Sequence, residues 1–454
     1  SFMRVDVIVQ VIRTSARPQT HNQTLLLLAA VATMHPQVVL HHVMAIFTFM
    51  GANVVRQDDE YSFHVIQHIL ERVIPPVVRD GGAENAGPVL RVFVDALSHI
   101  PRHRRMALFS TLVRTMGADV YAPAVVSLLL EKNMRRMLSS SRVSEATADD
   151  AASGKGERDD IVSFALSLTH ELLPAQQIGC AETVVRDLLL LLPPSPTSPV
   201  DAMEVVASHH ELFVDVAHMG PRQLRAYRLV ALDFVHQLLT GRQFRAQFDR
   251  VRATPEINAR LSAATATLLQ VITQLNSLHV ERAAEKQALQ LAYTVLDDVN
   301  ALMERRTFVA TVVSLLEQND LKIRRKVMAL ANSKLTEFNV RLVQPDSSDI
   351  DEMLTMLEPI AAIAGGGQQE SLVAAAAAGA EKEDEKKREE EAACRQAALL
   401  CIATAAKKFA VLRPVLFTNI VKSVSAAESL GSASPAVASA ALVAIAVLCN
   451  ELGS

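Results

Sequence analysis

The chain has 454 residues, half of them apolar, with 4% aromatic residues, no Trp, 16 Gly and 18 Pro. An apolar mass made mainly of Ala, Leu and Val argues for helices and against a β-sandwich or barrel, which draw on aromatic residues and frequent Gly/Pro turns. The net charge of −4 excludes a uniformly basic nucleic-acid binder but leaves room for a local basic patch.

Residues 1–20 carry no long apolar segment of the secretory kind, and the opening Ser-Phe-Met is read as the start of an excised fragment. From there apolar residues recur at i, i+3, i+4 and i+7, without strict alternation. The spacing predicts helices over 3–14, 20–34, 36–50, 58–78, 88–99, 102–116, 121–138, 159–173, 180–192, 201–218, 221–240, 255–275, 278–304, 306–318, 321–338, 350–364, 391–411, 413–427 and 434–451. Short joints such as His35-Pro36, Ile100-Pro101, Asn319-Asp320 and Arg413-Pro414 connect neighbours and make them antiparallel. A helix pair recurs every ~40 residues, the period of HEAT and armadillo arrays. The expected fold class is all-α, a HEAT/armadillo-like α-solenoid of antiparallel helix pairs.

Mean hydropathy is +0.20, so membrane spans must be weighed. The longest apolar runs, 25–34 and 435–449, fall short of the ~18 residues a span requires, and both are expected as buried helices with no membrane partner. Four stretches interrupt the helical rhythm. Residues 139–158 read as a mobile loop, PPSPTSP at 193–199 as a stiff connector, and 343–349 as a short polar break. Residues 365–391 join GGGQQE, an Ala run and a charged run; from Glu381 to Arg395 seven acids face five bases, which suits a solvated spacer or a helix with i,i+4 pairs. The predicted organisation is a repeat array over 1–342, a repeat helix plus charged linker over 343–391, and terminal helical repeats over 392–454.

One helix pair is sharper than the rest: FVATVVSLLEQNDLKIRRKVMALANSKL, Phe308 to Leu335. Asp320 stands where an N-cap belongs, its carboxylate able to accept from free backbone N–H groups. Ile323, Val327 and Leu330 mark the inward face of the helix that follows. The stretch resembles the second helix of a HEAT repeat; by residue type alone Arg324 reads as a solvated charge, whereas the resemblance implies that it bonds an inter-helix turn of a neighbouring repeat.

Chemistry-bearing constellations are sparse. His64 and His68 have the i,i+4 spacing of metal ligands, but Val65, Ile66 and Gln67 lie between them, so the Glu of an HExxH site is missing. Packing or surface exposure is the expected role for this pair. GxGxxG, GxxxxGK[ST] and GxSxG are absent, and no metal, cofactor or small-molecule substrate is expected. Cys180, Cys394, Cys401 and Cys449 are scattered without CxxC, which predicts a reducing compartment; Cys394 and Cys401, two turns apart, read as small buried apolar residues.

The basic clusters carry more. Arg222, Arg225, Arg228, Arg242, Arg245, Arg250 and Arg252 are opposed only by Asp233 and Asp249, a local charge of +5, with Tyr227, Phe244 and Phe248 interleaved. Guanidinium forks suit phosphate and aromatic rings can stack on bases, so this stretch is a candidate RNA grip. The competing reading is a solvated outer face whose Arg stems cover apolar surface. Arg102, His103, Arg104 and Arg105 form a second cluster, and Lys322, Arg324, Arg325 and Lys326 a third that belongs to the repeat pattern.

The most specific segment is 21–78. Its centre, VLHHVMAIFTFMGANVVRQDDEYSFHVI, is similar to a signature stretch of the very large HEAT-repeat nucleolar proteins associated with small nucleolar RNA, which belong to the UtpA (t-UTP) subcomplex of the small-subunit processome. The signature residues are Phe47, Phe49, Met50, Gly51, Asn53, Asp58, Tyr61 and Phe63. The resemblance covers about 60 residues and implies a nucleolar, non-catalytic scaffold that organises the 5′ external transcribed spacer of pre-rRNA, supports early 18S maturation and is linked to rDNA transcription. Its implied partners are other UtpA-type processome proteins and pre-rRNA or small nucleolar RNA. It brings no catalytic residues. The alternative is a HEAT adaptor of another pathway, of transport-receptor or phosphatase-scaffold type; a helical hydrolase built on His64, His68 and nearby carboxylates is the remote third.

Overall fold

The computed structural model of the chain describes residues 4–35, 38–39, 42, 45–46, 60–143, 151–192, 214, 219–251, 254–277, 283–318, 320–338, 348–365, 381–425, 430, 432 and 434–453. Among them every regular element is helical. The helices are α1 (Val5–Thr14), α2 (Pro18–Met34), α3 (Glu60–Ala96), α4 (Arg102–Met116), α5 (Ala118–Val143), α6 (Ala151–His170), α7 (Pro174–Leu190), α8 (Pro221–Thr240), α9 (Arg242–Phe248), α10 (Pro255–Ser277) and α11 (Ala283–Leu302). They continue as α12 (Arg305–Glu317), α13 (Leu321–Glu337), α14 (Ser348–Leu354), α15 (Leu357–Ala364), α16 (Glu381–Phe409), α17 (Pro414–Val424) and α18 (Pro435–Leu452). This is the all-α HEAT-type architecture that the periodicity predicts.

Proline sets many of the starts. Pro18, Pro174, Pro221, Pro414 and Pro435 occupy the first helical positions, where a missing N–H costs nothing and the fixed φ is already helical. Gly117, with φ of 113°, closes α4 in a backbone conformation that a side chain would strain.

The chain divides into two compact units, Ser1–Val299 and Asn300–Ser454. Within the first, α1, α2, α3 and then α4 and α5 pack in succession. Next, α5, α7 and α8 form a three-helix junction, and α10 covers α7. Aliphatic side chains fill the centre, with Phe93, Phe109, Tyr227, Phe234, Phe244 and Phe248 among its largest fully buried residues. In the second unit the helices form two rows. One is α12, α15 and α17; the other is α13, α16 and α18; and each row packs on the other through the pairs α12/α13, α15/α16 and α17/α18.

The α12/α13 pair shows how a turn is built. Asp320 Oδ1 accepts from the backbone N–H groups of Lys322 (2.9 Å) and Ile323 (3.2 Å), so it is the N-cap its position predicts. Arg324 is buried and donates to the Glu317 carbonyl at the end of α12 (3.4 Å), so this bond goes to the turn of its own hairpin and not, as expected, to that of a neighbouring repeat. Val327, Met328, Ala331 and Leu335 form the inward face, and Leu330 is only half-buried, one step off the face expected for it.

Several expectations need correction. The gap between the helices expected over 58–78 and 88–99 is spanned by α3, because the apolar faces on both sides of it are buried and packing overrides weak Gly/Pro propensity. Of the stretch 139–158 expected as a mobile loop, residues 139–143 belong to α5 and residues 151–158 to α6, and 144–150 lie outside the described residues. The single helix expected over 350–364 is two, α14 and α15, meeting at Thr355-Met356. Pro359 lacks the N–H that would bond the Thr355 carbonyl, and its ring crowds that oxygen. The boundary expected at 391/392 falls inside α16, whose charged first turns lead directly into a face buried against α13 and α18. The connector 193–199, the boundary at 342/343, and all but Val214 of the helix expected at 201–218 lie outside the described residues.

The run at 435–449 lies in a helix of the expected extent, but much less of it is buried than expected. As α18 it reaches 18 residues at a mean hydropathy of 1.8, long and apolar enough to cross a membrane by length and composition, with 28% of it buried. Val437, Ala440, Ala441, Ala444 and Leu448 face inward, and the helix packs on α16 and α17; Leu442 and Val443 are exposed.

Replacing Asp320 with Ala should lower the stability of the second unit by about 1 kcal/mol, the worth of a helix N-cap, while Asn should keep most of it. Chemical denaturation of the three proteins side by side measures this.

Candidate nucleic-acid interface

The arginine-rich stretch forms α8, α9 and the turn after them. Gly220 and Pro221 start α8, and the Gln223 side chain turns back to accept from the Gly220 N–H (2.9 Å). The inward face of α8 is Tyr227, Arg228, Ala231, Leu232, Phe234, Val235, Leu238 and Leu239. In α9, Phe244 and Phe248 point inward with ring centres 5.5 Å apart.

This placement divides the seven arginines. Arg228 is buried, donates to the Leu191 carbonyl at the end of α7 (2.8 Å), and burial lowers its proton affinity. Arg245 is half-buried and donates through Nε to the Leu239 carbonyl at the end of α8 (2.8 Å). Both close helix C-termini, so both leave the candidate RNA set. Tyr227, Phe244 and Phe248 leave it as well: their rings are core, at 0 to 1% exposure, and no base can reach them. Arg222, Arg242 and Arg250 are exposed and Arg225 is half-buried; Arg252 lies outside the described residues. Four accessible cations against the exposed Asp233 and Asp249 leave +2 in place of the +5 counted along the sequence.

The second cluster opens α4. Arg105 donates to the Ile100 carbonyl (3.0 Å), and Arg104 lies over the Phe63 ring, 5.1 Å from its centre. In the third, Lys322 is 3.8 Å from Glu390, and burial pushes the Lys326 amine down to about 8.

Of the signature residues, Tyr61 is exposed and accepts from Gln23 Nε2 (3.1 Å), tying α3 to α2, while Phe63 is half-buried under Arg104. Phe47, Phe49, Met50, Gly51, Asn53 and Asp58 lie outside the described residues. His64 and His68 are exposed along an open groove of about 430 Å³ with Leu26, Tyr61, Val65 and Glu71. His64 lies 3.9 Å from Glu60. Among the described residues no three His, Cys, Asp or Glu side chains converge on a metal-sized site. Cys180, Cys394 and Cys401 are buried, and burial pushes their thiols up to about 12, 11 and 12.

Two features escape the reading by residue type. Lys132 and Lys408 reach across to the ends of other helices. Lys132 Nζ donates to the Val94 and Asp95 carbonyls (2.8 and 2.7 Å), and Lys408 Nζ to those of Thr336 and Phe338. Asp187 is also buried, at the α5/α7/α8 junction, and accepts from Ser127 Oγ (3.2 Å). Its signal in the sequence is an acid inside the aliphatic run TVVRDLLLLL, where a charge has no solvent face to occupy.

The comparisons with known proteins agree with the repeat architecture. The family described as "HEATR1-like, HEAT repeats" matches residues 82–301. HEAT repeat-containing protein 1 of Macaca fascicularis is 31% identical over 360 residues, which is 73% of this chain and 36% of that protein. The Homo sapiens protein of the same name is 31% identical over 359 residues, 73% of this chain and 16% of that one. U3 small nucleolar RNA-associated protein 10 of Schizosaccharomyces pombe is 25% identical over 455 residues, 100% of this chain and 24% of that protein. The chain therefore spans about a third or less of the length of these relatives.

Replacing Arg228 with Met should cost about 1–3 kcal/mol, because the Leu191 carbonyl loses its donor in a place water does not reach. Arg242→Met should leave the denaturation midpoint where it is, and comparing the two midpoints checks the division of the cluster.

Proposed function

We propose that this chain, a HEAT-repeat protein homologous to HEAT repeat-containing protein 1 and U3 small nucleolar RNA-associated protein 10, acts as a non-catalytic scaffold in small-subunit ribosome biogenesis. In this reading it works in the nucleolus, within the UtpA group of processome proteins. There it helps organise the 5′ external transcribed spacer during pre-18S rRNA processing, in step with rDNA transcription. The observation that carries the proposal is likeness along most of the chain to proteins named for U3 small nucleolar RNA. The fold supports it physically. Stacked helix pairs offer long surfaces to partners, and the functional surface of such an array is its exposed side chains.

RNA contact falls to Arg222, Arg225, Arg242 and Arg250. Their guanidinium groups can bind phosphate, and with Tyr227, Phe244 and Phe248 in the core they have no aromatic platform to read bases. The contact is therefore backbone binding, weak in sequence preference and sensitive to salt.

Affinity purification of the tagged full-length protein, with mass spectrometry of partners and sequencing of bound RNA, tests the assignment. UtpA proteins together with 5′ spacer pre-rRNA support it, and cytoplasmic partners without pre-rRNA favour the adaptor reading. For the RNA contact, Arg222, Arg225, Arg242 and Arg250 are changed to Glu and single-stranded RNA binding is followed across salt. Each lost phosphate contact should flatten the log–log slope by about 0.7. An unchanged slope removes these arginines from the interface.

A further inference from the structure

The turn between α9 and α10 carries a hydroxyl that neither the scaffold role nor the phosphate contact uses. Thr254 is exposed there, directly before Pro255, the first residue of α10. A residue before proline is held out of the helical region and extended, because the proline ring crowds its backbone. An extended, solvent-facing hydroxyl followed by a residue without an N–H is what a proline-directed serine/threonine kinase takes as its acceptor. Among the described residues one other hydroxyl precedes a proline: Ser434, which is half-buried, with its N–H donating to Ser432 Oγ (3.3 Å).

The setting of Thr254 is basic. Its N–H donates to the Val251 carbonyl (3.3 Å), which folds the chain into a turn directly after Arg250. The Arg250 side chain is exposed. Glu256, the acid in the first turn of α10, is engaged by Arg260 (3.1 Å). Arg250 belongs with Arg222, Arg225 and Arg242 to the surface whose accessible charge, after Asp233 and Asp249, is +2. A phosphorylated threonine carries about −1.5 to −2 at neutral pH, so one modification cancels that surplus.

We propose that Thr254 is a phosphorylation site that switches off the phosphate-binding surface of α8 and α9, an inference that rests on reading Arg222, Arg225, Arg242 and Arg250 as the RNA contact. Thr254 Oγ1 attacks the γ-phosphorus of a nucleoside triphosphate. The Oγ1–P bond forms as the bond from that phosphorus to the β,γ-bridging oxygen breaks. The nucleoside diphosphate leaves with the electron pair, and the hydroxyl proton passes to the base of the kinase. The phosphate then stands four residues from Arg250, close enough in sequence and turn for a guanidinium–phosphate pair. RNA loses Arg250 as a contact and meets a like charge beside the other arginines.

The test incubates the whole chain with a proline-directed serine/threonine kinase and ATP, and locates the phosphate by mass spectrometry. Thr254 should be filled, and Thr254→Ala should take none in that segment. Single-stranded RNA binding is then followed across salt. One lost contact should flatten the log–log slope by about 0.7 and weaken binding about fivefold at about 0.1 M salt. Kinase-treated Thr254→Ala should bind like the untreated wild type. Arg250→Met should show no further change of slope on treatment, because it already lacks the contact that the phosphate removes. Absence of phosphate at Thr254 overturns the switch alone. So does a filled Thr254 with an unaltered slope, where the variant with all four arginines changed to Glu does lose slope. If that variant keeps the wild-type slope, the RNA reading itself fails and the switch falls with it.

Discussion

An α-helix ends in carbonyl groups with no partner of their own, and a layered array of short helices has many such ends. Where a neighbouring helix covers an end, water cannot satisfy it, so the donor must come from a side chain long enough to reach and cationic enough to favour the negative pole of the helix. Among the described residues six side chains do this. Lys132 closes α3, Arg228 closes α7 and Arg245 closes α8. Arg105 bonds Ile100 just past the turn after α3, and in the second unit Arg324 closes α12 and Lys408 closes α13. Each fastens one element to the next at a point where apolar contact alone gives no direction.

That constraint decides how the functional surface is read. Seven arginines within about thirty residues look like one phosphate grip when counted along the chain. Their environments split them into two at helix ends, four toward solvent and one outside the described residues. The aromatic residues among them serve the core. What remains is a modest basic surface whose exposed guanidinium groups suit a phosphate backbone better than base edges.

The buried acid at the α5/α7/α8 junction belongs to the same economy of polar groups. Cations are supplied to helix ends, whereas Asp187 sits within α7 and accepts from the neutral hydroxyl of Ser127. Glu131, one turn beyond Ser127 on α5, is paired with Arg91 and Arg135.

Much of the fold was legible from residue pattern. Apolar spacing placed α8, α12 and α13 to within a residue or so, Pro at first turns marked the starts, and Asp320 was recognisable as a cap from its position alone. These features are local: helix period, proline geometry and capping act over three to seven residues, a span that the sequence displays directly. The continuity of α3 through its Gly/Pro stretch, the break at Thr355-Met356 and the reach of α16 through the 391/392 boundary were less legible, because packing on other helices competes there with local propensity. Which arginine faces solvent, which lysine closes a distant helix and which aspartate is sealed from water belonged to the tertiary structure alone. A side chain's charge, hydration and partner depend on what stands opposite it, and for Lys408, Arg228 and Asp187 that is a residue some forty to seventy positions away.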